Sequence, residues 1–74
     1  MFQTIYKAYV IAANGTQIVH EICYNGESLN GAIDIFNRCV SSLDSCWHVF
    51  SPRDRATVTV MSDGQKIMSR QFGG

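Results

Sequence analysis

Apolar residues and residues that favour β-strands dominate two stretches of this chain, residues 4–24 and 55–72. A turn sequence divides each stretch, Asn14-Gly15 in the first and Asp63-Gly64 in the second. Asn-Gly and Asp-Gly readily adopt the positive φ angles that a two-residue hairpin turn requires. The pattern therefore predicts two β-hairpins, one in each half of the chain.

The first turn also predicts how the strands of its hairpin pair. With a two-residue loop, one side of the ribbon carries Ile11 opposite Ile18, Tyr9 opposite His20, Lys7 opposite Ile22 and Ile5 opposite Tyr24. This side carries more bulk than the opposite side, which includes Ala8. We expect the bulkier side to pack against the core and the second side to remain an apolar patch.

The second turn predicts a core side and a basic side in the same way. With a two-residue loop, Val60 faces Ile67 on the side that suits the core. The other side gathers basic residues and methionine, and one further arginine lies just before the first strand. We call this set the basic strand face, and it contains Arg53, Arg55, Lys66, Met68 and Arg70.

Between the hairpins, residues 29–43 show the spacing of an amphipathic helix, and Ser28 is a suitable N-cap. The apolar residues of this segment fall within an arc of about 160° around the helix axis. The polar residues occupy the opposite arc. From that arc we define a second candidate contact, the polar helix face, which contains Asn30, Asp34 and Asn37.

The run 46–50 is predicted to be a short strand that stops at Pro52, because proline has no N–H group for a sheet. The order of elements is then ββα(β)ββ. This order predicts a single α+β domain over residues 1–74, in which one helix packs on an antiparallel sheet of four to five strands. No further element is predicted to cover the other side of this two-layer sandwich.

Length and charge limit the kinds of partner. The 74-residue chain is 46% hydrophobic, and six Lys and Arg balance six Asp and Glu. A domain of this length buries only about 60% of the surface that its unfolded chain exposes, so a standing partner or a homodimer would add stability. Zero net charge gives no overall attraction to nucleic acid or to an anionic membrane.

The three cysteines, Cys23, Cys39 and Cys46, are odd in number and form no Cys-x-x-Cys pair. Small secreted domains usually have an even number of cysteines joined as disulfides. The chain shows no signal-peptide pattern and no apolar run of the roughly 20 residues that a membrane span needs. We expect free thiols in a soluble cytoplasmic protein that does not enter a membrane.

No motif predicts catalysis, a metal site or a cofactor. His20 and Cys23 are three residues apart, which on a strand places their side chains on opposite faces. Ser41 and Ser42 lie near His48 in the sequence, but serine is common where helices end and chains turn. We expect a protein that is not an enzyme and that binds no metal and no cofactor.

The basic strand face is the most distinctive predicted surface. Its cations would suit an acidic protein surface, and its methionine side chain would adapt to the shape of the partner. The same cations could hold a phosphate backbone, although a neutral protein with so few of them binds weakly and releases as salt rises. We expect another protein, within a larger complex, as the partner, and nucleic acid is the alternative.

Gly73-Gly74, together with the ββα opening and the chain length, resembles ubiquitin-like and sulfur-carrier proteins. The resemblance implies a carrier that is activated at its C-terminal glycine. In that family the last strand runs parallel to the first and follows a long connection. Here the last strand is predicted to be the second arm of a tight hairpin.

In size, cysteine usage and single-helix layout the chain resembles small phage-encoded inhibitors of the anti-CRISPR type. The resemblance is one of format, without a shared motif, and it assigns no residue. It implies a protein that occludes a surface of a bacterial defence or host complex in the cytoplasm of the host cell. The basic strand face or the polar helix face would then be the contact.

Overall fold

Four strands form one antiparallel sheet, and a single long helix lies across one of its sides. The computed structural model describes residues 1–73. The elements in chain order are β1 (Phe2–Ile11), β2 (Gln17–Gly26), α1 (Leu29–Cys46), β3 (Arg55–Ser62) and β4 (Gln65–Gly73). The strands lie in the order β2-β1-β3-β4. This is the predicted small α+β fold, with the helix between the second and third strands.

Helix α1 begins where its sequence predicts. The hydroxyl of Ser28 accepts a hydrogen bond from the Gly31 N–H at 3.1 Å, as an N-cap does. The helix continues to Cys46, and the predicted strand over 46–50 is wrong because Trp47–Val49 form one turn of 3₁₀ helix. Cys46 and Trp47 lie three and four residues after the buried Leu43, so they extend the apolar stripe of the helix.

The core lies between α1 and the two central strands. Small side chains on β1 and β3 allow the helix to approach the sheet, and the hydroxyl of Thr4 donates a hydrogen bond to the Ala32 carbonyl at 2.6 Å. At one end of the core, Trp47 packs on Phe50 and Phe72 with ring centroids 4.3 and 5.4 Å away. The buried apolar residues are Ala8, Ala32, Phe36, Leu43, Ala56, Val58, Val60 and Phe72.

The loop of the first hairpin is one residue longer than predicted. Gly15 N–H donates to the Ala12 carbonyl at 2.9 Å, and Ala12 N–H donates to the Thr16 carbonyl at 2.8 Å. Only Gly15 has a positive φ, of 86°, which is the pattern of a three-residue loop with a bulge. Ile11 therefore pairs with Gln17 and not with Ile18.

This one-residue difference reverses the expected faces of β1. Successive side chains on a strand alternate between faces, so a slip of one residue moves a strand's side chains to the other side of the sheet relative to its neighbour. The even-numbered residues of β1, which include the buried Ala8, share the helix side with Ile18 and Tyr24. The expectation that Ile5 and Ile11 pack in the core is wrong.

The second hairpin has the predicted turn and then departs from the predicted register. Asp63 and Gly64 have φ angles of 49° and 81°, and Met61 pairs with Lys66 as expected. A β-bulge follows, because Ile67 is an extra residue and Val60 pairs with Met68. Beyond the bulge, the side chains of β4 lie on the opposite face from the one predicted.

A buried carboxylate joins the end of β1 to the loop before β3. Asp54 accepts hydrogen bonds from the N–H groups of Ile11 and Ser51, both at 2.9 Å, and is only 5% exposed. The bond from Ile11, followed by the bond from Ser51, holds the pKa of Asp54 below its ordinary value. Because these bonds are stronger to the charged form, ionised Asp54 stabilises this corner of the fold.

Gly73 is packed against the same corner. Its φ of 74° lies in the left-handed region, and a Cβ atom there would come within 2.9 Å of Cζ2 of Trp47. Gly73 also pairs with Arg55 as part of β4. The resemblance to carrier proteins rested on Gly73-Gly74. In the structure Gly73 is a residue of β4, and Gly74 lies outside the described residues.

Candidate functional site

The β-bulge in β4 divides the predicted basic strand face. Arg55 and Lys66 lie on the side of the sheet away from the helix, whereas Met68 and Arg70 lie on the helix side. Arg53 is exposed in the loop before β3. The five residues do not form one face, because the extra residue of the bulge reverses the strand between Lys66 and Met68.

Arg70 has local partners on the helix side. Its guanidinium lies 3.6 Å from the Asp44 carboxylate of α1 and 4.9 Å from the ring centroid of Phe72. These contacts hold the Arg70 side chain over the edge of the core. Its charge therefore belongs to the helix side of the molecule and is partly matched by Asp44.

The predicted polar helix face is present as a surface. Asn30, Asp34 and Asn37 are all exposed on α1, and their spacings of four and three residues make them neighbours on the helix. The set carries one charge and no aromatic side chain. Contact with a partner at this face stays a prediction.

The side of the sheet away from the helix forms a broad surface that we call the open sheet face. None of the described residues 1–73 forms an element over it. It mixes apolar, aromatic and basic side chains from the four strands. Its principal members are Ile5, Lys7, Tyr9, Val19, Glu21, Arg55, Thr57, Thr59, Met61 and Lys66.

Tyr9 is the centre of a charged aromatic cluster on the open sheet face. The Lys7 ammonium lies 5.6 Å and the Arg55 guanidinium 5.4 Å from the centroid of its ring, within the range of cation–π interactions. Lys7 also lies 3.4 Å from the Glu21 carboxylate. The neighbouring Tyr9 and then Glu21 raise the pKa of Lys7, so Lys7 stays charged at neutral pH.

Sequence reasoning missed this cluster because it placed Tyr9 in the core. The observed register sets Tyr9 opposite Arg55 on β3, a pairing of two strands that are not adjacent in the sequence. Only a correct loop length for Asn14-Gly15 would have moved Tyr9 to the same face as Arg55. Tyrosine and arginine are the residue types that most often carry the binding energy of protein interfaces.

A cleft of about 550 Å³ lies between α1 and the helix side of β2. Burial raises the pKa of Cys39, and burial followed by the nearby Cys46 and Cys39 raises the pKa of Tyr6. A thiol whose pKa is raised supplies little thiolate, so this cleft does not activate Cys39 as a nucleophile. The lining residues are Tyr6, Ile22, Tyr24, Ile35, Arg38, Cys39, Ser42, Leu43, Cys46 and Phe50.

Strand β2 is exposed over most of its length. Ile18, Val19 and Tyr24 are 52%, 50% and 38% exposed, and only Ile22 and Gly26 of this strand are half-buried. The molecule is correspondingly elongated, with a radius of gyration of 13.0 Å, compared with about 11 Å for a compact chain of this length. Both faces of β2 therefore present exposed apolar side chains, which form a second candidate surface.

Three further findings concern metal ligands, membrane spans and known proteins. Within residues 1–73, no group of three or more His, Cys, Asp and Glu side chains is placed to hold a metal ion. In the same part of the chain, α1 is too polar to cross a membrane. Comparison with protein-family models, curated proteins and solved structures finds no match for this chain.

Proposed function

We propose that this protein is a non-catalytic protein-binding module and that the open sheet face is its contact surface. The observation that carries the proposal is the cluster of Tyr9 between Lys7 and Arg55 on a sheet side without a covering element. A tyrosine ring whose position is fixed by two cations loses little conformational entropy when a partner covers it. Carboxylates of the partner would pair with the cations around the ring.

The partner is expected to be acidic where it meets this cluster. Lys7, Arg55 and Lys66 outnumber the single carboxylate of Glu21 among the principal members of the open sheet face. Ile5 and Met61 provide apolar contact area beside the charges, as in the centre of many interfaces. The cation count is too small, in a molecule of zero net charge, to favour nucleic acid as the partner.

In its more specific form, the proposal is an inhibitor of the phage-encoded type. Such a protein would occlude a surface of a bacterial defence or host complex in the cytoplasm of the host cell. The protein is small and folded, and its open sheet face carries the residue types of a binding surface, which supports this form of the proposal. The carrier function has less support, because Gly73 is held in β4 against Trp47 and does not extend freely from the domain.

The test is affinity purification of the tagged protein from its native host, with identification of co-purified proteins by mass spectrometry. We expect Tyr9→Ala and Arg55→Glu to remove the partner. Arg38→Glu makes the same charge change at an exposed residue of α1 beside the cleft, away from the open sheet face, and is expected to keep it. Loss of the partner with Arg38→Glu or Asp34→Arg, but not with the open-face variants, would place the contact on the helix and overturn the proposal.

The inhibitor form has its own test. The gene is expressed in a bacterium that carries the complex found by purification, and the bacterium is then challenged with phage. Restored phage plating with the wild-type protein, and none with Arg55→Glu, is the expected result. A partner that is neither a defence nor a host regulatory complex would contradict the inhibitor function, and the proposal of a protein-binding module would still stand.

A further inference from the structure

The outer edge of β2 is a regular strand edge without a partner among the described residues. β2 runs from Gln17 to Gly26, and residues 1–73 form no element beyond it. The strand contains no proline, no lysine and no bulge, which are the usual features that prevent pairing at an edge. Such an edge is a template for one more strand.

The hydrogen bonds of the first hairpin determine which backbone groups of β2 face outward. Ala12 N–H donates to the Thr16 carbonyl at 2.8 Å, so these residues form a hydrogen-bonded pair. Hydrogen-bonded and non-hydrogen-bonded pairs alternate in an antiparallel ladder. The even-numbered residues of β2 therefore direct their N–H and C=O groups to β1. The residues that direct these groups to the free edge are Gln17, Val19, Glu21, Cys23 and Asn25.

We infer that β2 pairs with β2 of a second copy of this chain and forms a two-fold symmetric dimer with a continuous eight-stranded sheet. This inference goes beyond the proposed function, because it concerns another surface and another partner. A second copy presents the same open edge and the same exposed Ile18, Val19 and Tyr24. Copies of a neutral chain do not repel each other, and Glu21, the one charged residue of β2, is already matched by Lys7 at 3.4 Å.

The expected contact area reaches the size that a specific interface needs. Pairing of nearly all of β2 gives a contact about 30 Å long, with side chains on both faces of the strand. We expect such a contact to bury on the order of 1,000 Å² over the two copies, which is the lower end of the range for specific interfaces. A dimer with a micromolar dissociation constant is the expected result.

Symmetry and charge select one register for the dimer. A residue whose N–H and C=O groups point to the free edge must pair with a residue of the same kind in the partner subunit. The two-fold axis therefore passes midway between one residue of β2 and the same residue of the partner subunit. Registers centred on Glu21 and on Ile22 are the two that pair most of the strand. The first places Glu21 directly opposite Glu21 of the partner subunit, and like charges in that position destabilise a sheet. The register centred on Ile22 places Glu21 opposite Cys23 and is therefore the one we assign.

The assigned register also buries apolar surface next to the clefts. Ile22 meets Ile22 of the partner subunit on the helix side, and His20 lies opposite Tyr24 of the partner subunit. Ile22 and Tyr24 line the cleft beside α1, so the clefts of the two copies become continuous across the axis. On the other side of the sheet, the two open sheet faces join into one surface.

Symmetric disulfide formation tests the register. The residues on the axis form a non-hydrogen-bonded pair with a Cα–Cα distance of about 4.5 Å, which suits a disulfide. In a Cys23→Ser background, we expect Ile22→Cys to form a covalent dimer under mild oxidation. Glu21→Cys in the same background fits only the rejected register, and Cys23 of the wild type fits only a register centred on itself. Because Cys39 and Cys46 line the same cleft as Ile22, both are replaced by serine in the Ile22→Cys and Glu21→Cys variants, so that only the introduced thiol reports on the register.

Charge substitution at Cys23 tests the same register without a disulfide and without a change in the core. Cys23 is exposed and lies opposite Glu21 of the partner subunit in the assigned register. We expect Cys23→Glu to weaken the dimer about tenfold and Cys23→Lys to strengthen it severalfold, because two such pairs form across the axis. Sedimentation equilibrium of the full chain measures both changes, and circular dichroism checks that the variants are folded.

Two results would overturn the inference. One is a wild-type protein that remains monomeric by sedimentation at about 100 µM, well above the micromolar dissociation constant expected for a small interface. The other is a dimer that cross-links through Glu21→Cys or through native Cys23, or that responds equally to both charges at Cys23. A dimer with efficient Ile22→Cys cross-linking and opposite responses at Cys23 would support it.

Discussion

The two edge strands of this sheet differ in how the molecule uses them. In β4 the bulge at Ile67 turns Phe72 into the core, and Lys66 and Arg70 place charge along the strand. In β2 the ladder with β1 is regular, and most side chains are exposed on both faces. A bulge and lysine side chains are standard protection against pairing at an edge.

This difference shows where the fold gains stability and where it keeps surface available. The core lies between α1 and the central strands β1 and β3, and the aromatic cluster of Trp47 and Phe72 and the Asp54 hydrogen bonds lie at β4 and the loop before β3. The side toward β2 has a cleft and exposed apolar residues. If the comparison is correct, substitutions near β4 should change stability, and substitutions on β2 should change association.

The largest effect is expected for Phe72→Ala. Phe72 is 6% exposed and packs on Trp47, so its removal leaves a cavity and should lower the free energy of unfolding by about 3–5 kcal/mol. Tyr24→Ala is the matched variant on β2, where the side chain is already 38% exposed, and a smaller loss is expected. Chemical denaturation followed by circular dichroism measures both. Equal losses would remove the contrast between the two edges.

A smaller loss is expected for Gly73→Ala at the end of β4. The left-handed φ of 74°, the Asp54 carbonyl oxygen that an added Cβ would overlap, and the 2.9 Å approach of Trp47 act together, and we expect a loss of about 2 kcal/mol or more. Gly15→Ala is the control, because Gly15 has a φ of 86° but no atom within 4 Å of the added Cβ. Its expected loss is about 1 kcal/mol. Thermal unfolding should separate the two variants, and identical values would show that the close contacts of Gly73 with the Asp54 carbonyl and with Trp47 contribute nothing.

The Asp54 hydrogen bonds should make this side of the fold sensitive to acid. Because the folded pKa of Asp54 is lowered, its contribution to stability is present above the unfolded Asp pKa of about 3.9 and is lost as pH falls through the folded value. Asp54→Asn should therefore unfold more easily at neutral pH and show a smaller further loss between neutral and acidic pH. Asp34→Asn, at an exposed helix position, is the control. Parallel pH curves for wild type and Asp54→Asn would contradict this prediction.

The smallest change in stability is expected when β2 receives a lysine, the residue type that protects the edge of β4 against pairing with another strand. Val19→Lys replaces a half-exposed valine, and we expect the free energy of unfolding of the monomer to change by no more than about 0.5 kcal/mol. Self-association should nevertheless weaken, because the lysine must lose water at the paired edge. Ile67→Lys, on a 46% exposed residue of β4, is the control and should leave association unchanged. An equal effect of both variants on sedimentation would show that β2 is not a special edge.

Much of the fold could be predicted from local patterns. The two x-Gly turns, the Ser28 cap and the apolar stripe of α1 gave the element order and the antiparallel hairpins, because each depends on residues close together in the sequence. The strand predicted over 46–50 failed for a related reason. A short apolar run fits a strand or a helix end equally well, and only packing of Trp47 against Phe72 decided between them.

The candidate site could be predicted much less well. Arg55 and Lys66 were identified as surface cations, but Tyr9 was assigned to the core, and Met68 and Arg70 were assigned to the wrong face. Each error came from a difference of one residue between the predicted and the observed strand pairing, in the loop at Asn14-Gly15 or in the bulge at Ile67. The protein-binding role of these residues stays a prediction for the experiments above.

By itself, the sequence determined the two hairpins, the start of the helix and where the hairpins turn, since these choices follow from backbone preferences and local periodicity. The tertiary structure alone decided which side chains share a face. Asn-Gly is compatible with a loop of two or three residues, and no local signal predicts whether a strand bulges. Because side chains alternate at every residue, these two small choices placed Tyr9 beside Arg55, turned Phe72 into the core and left the edge of β2 open.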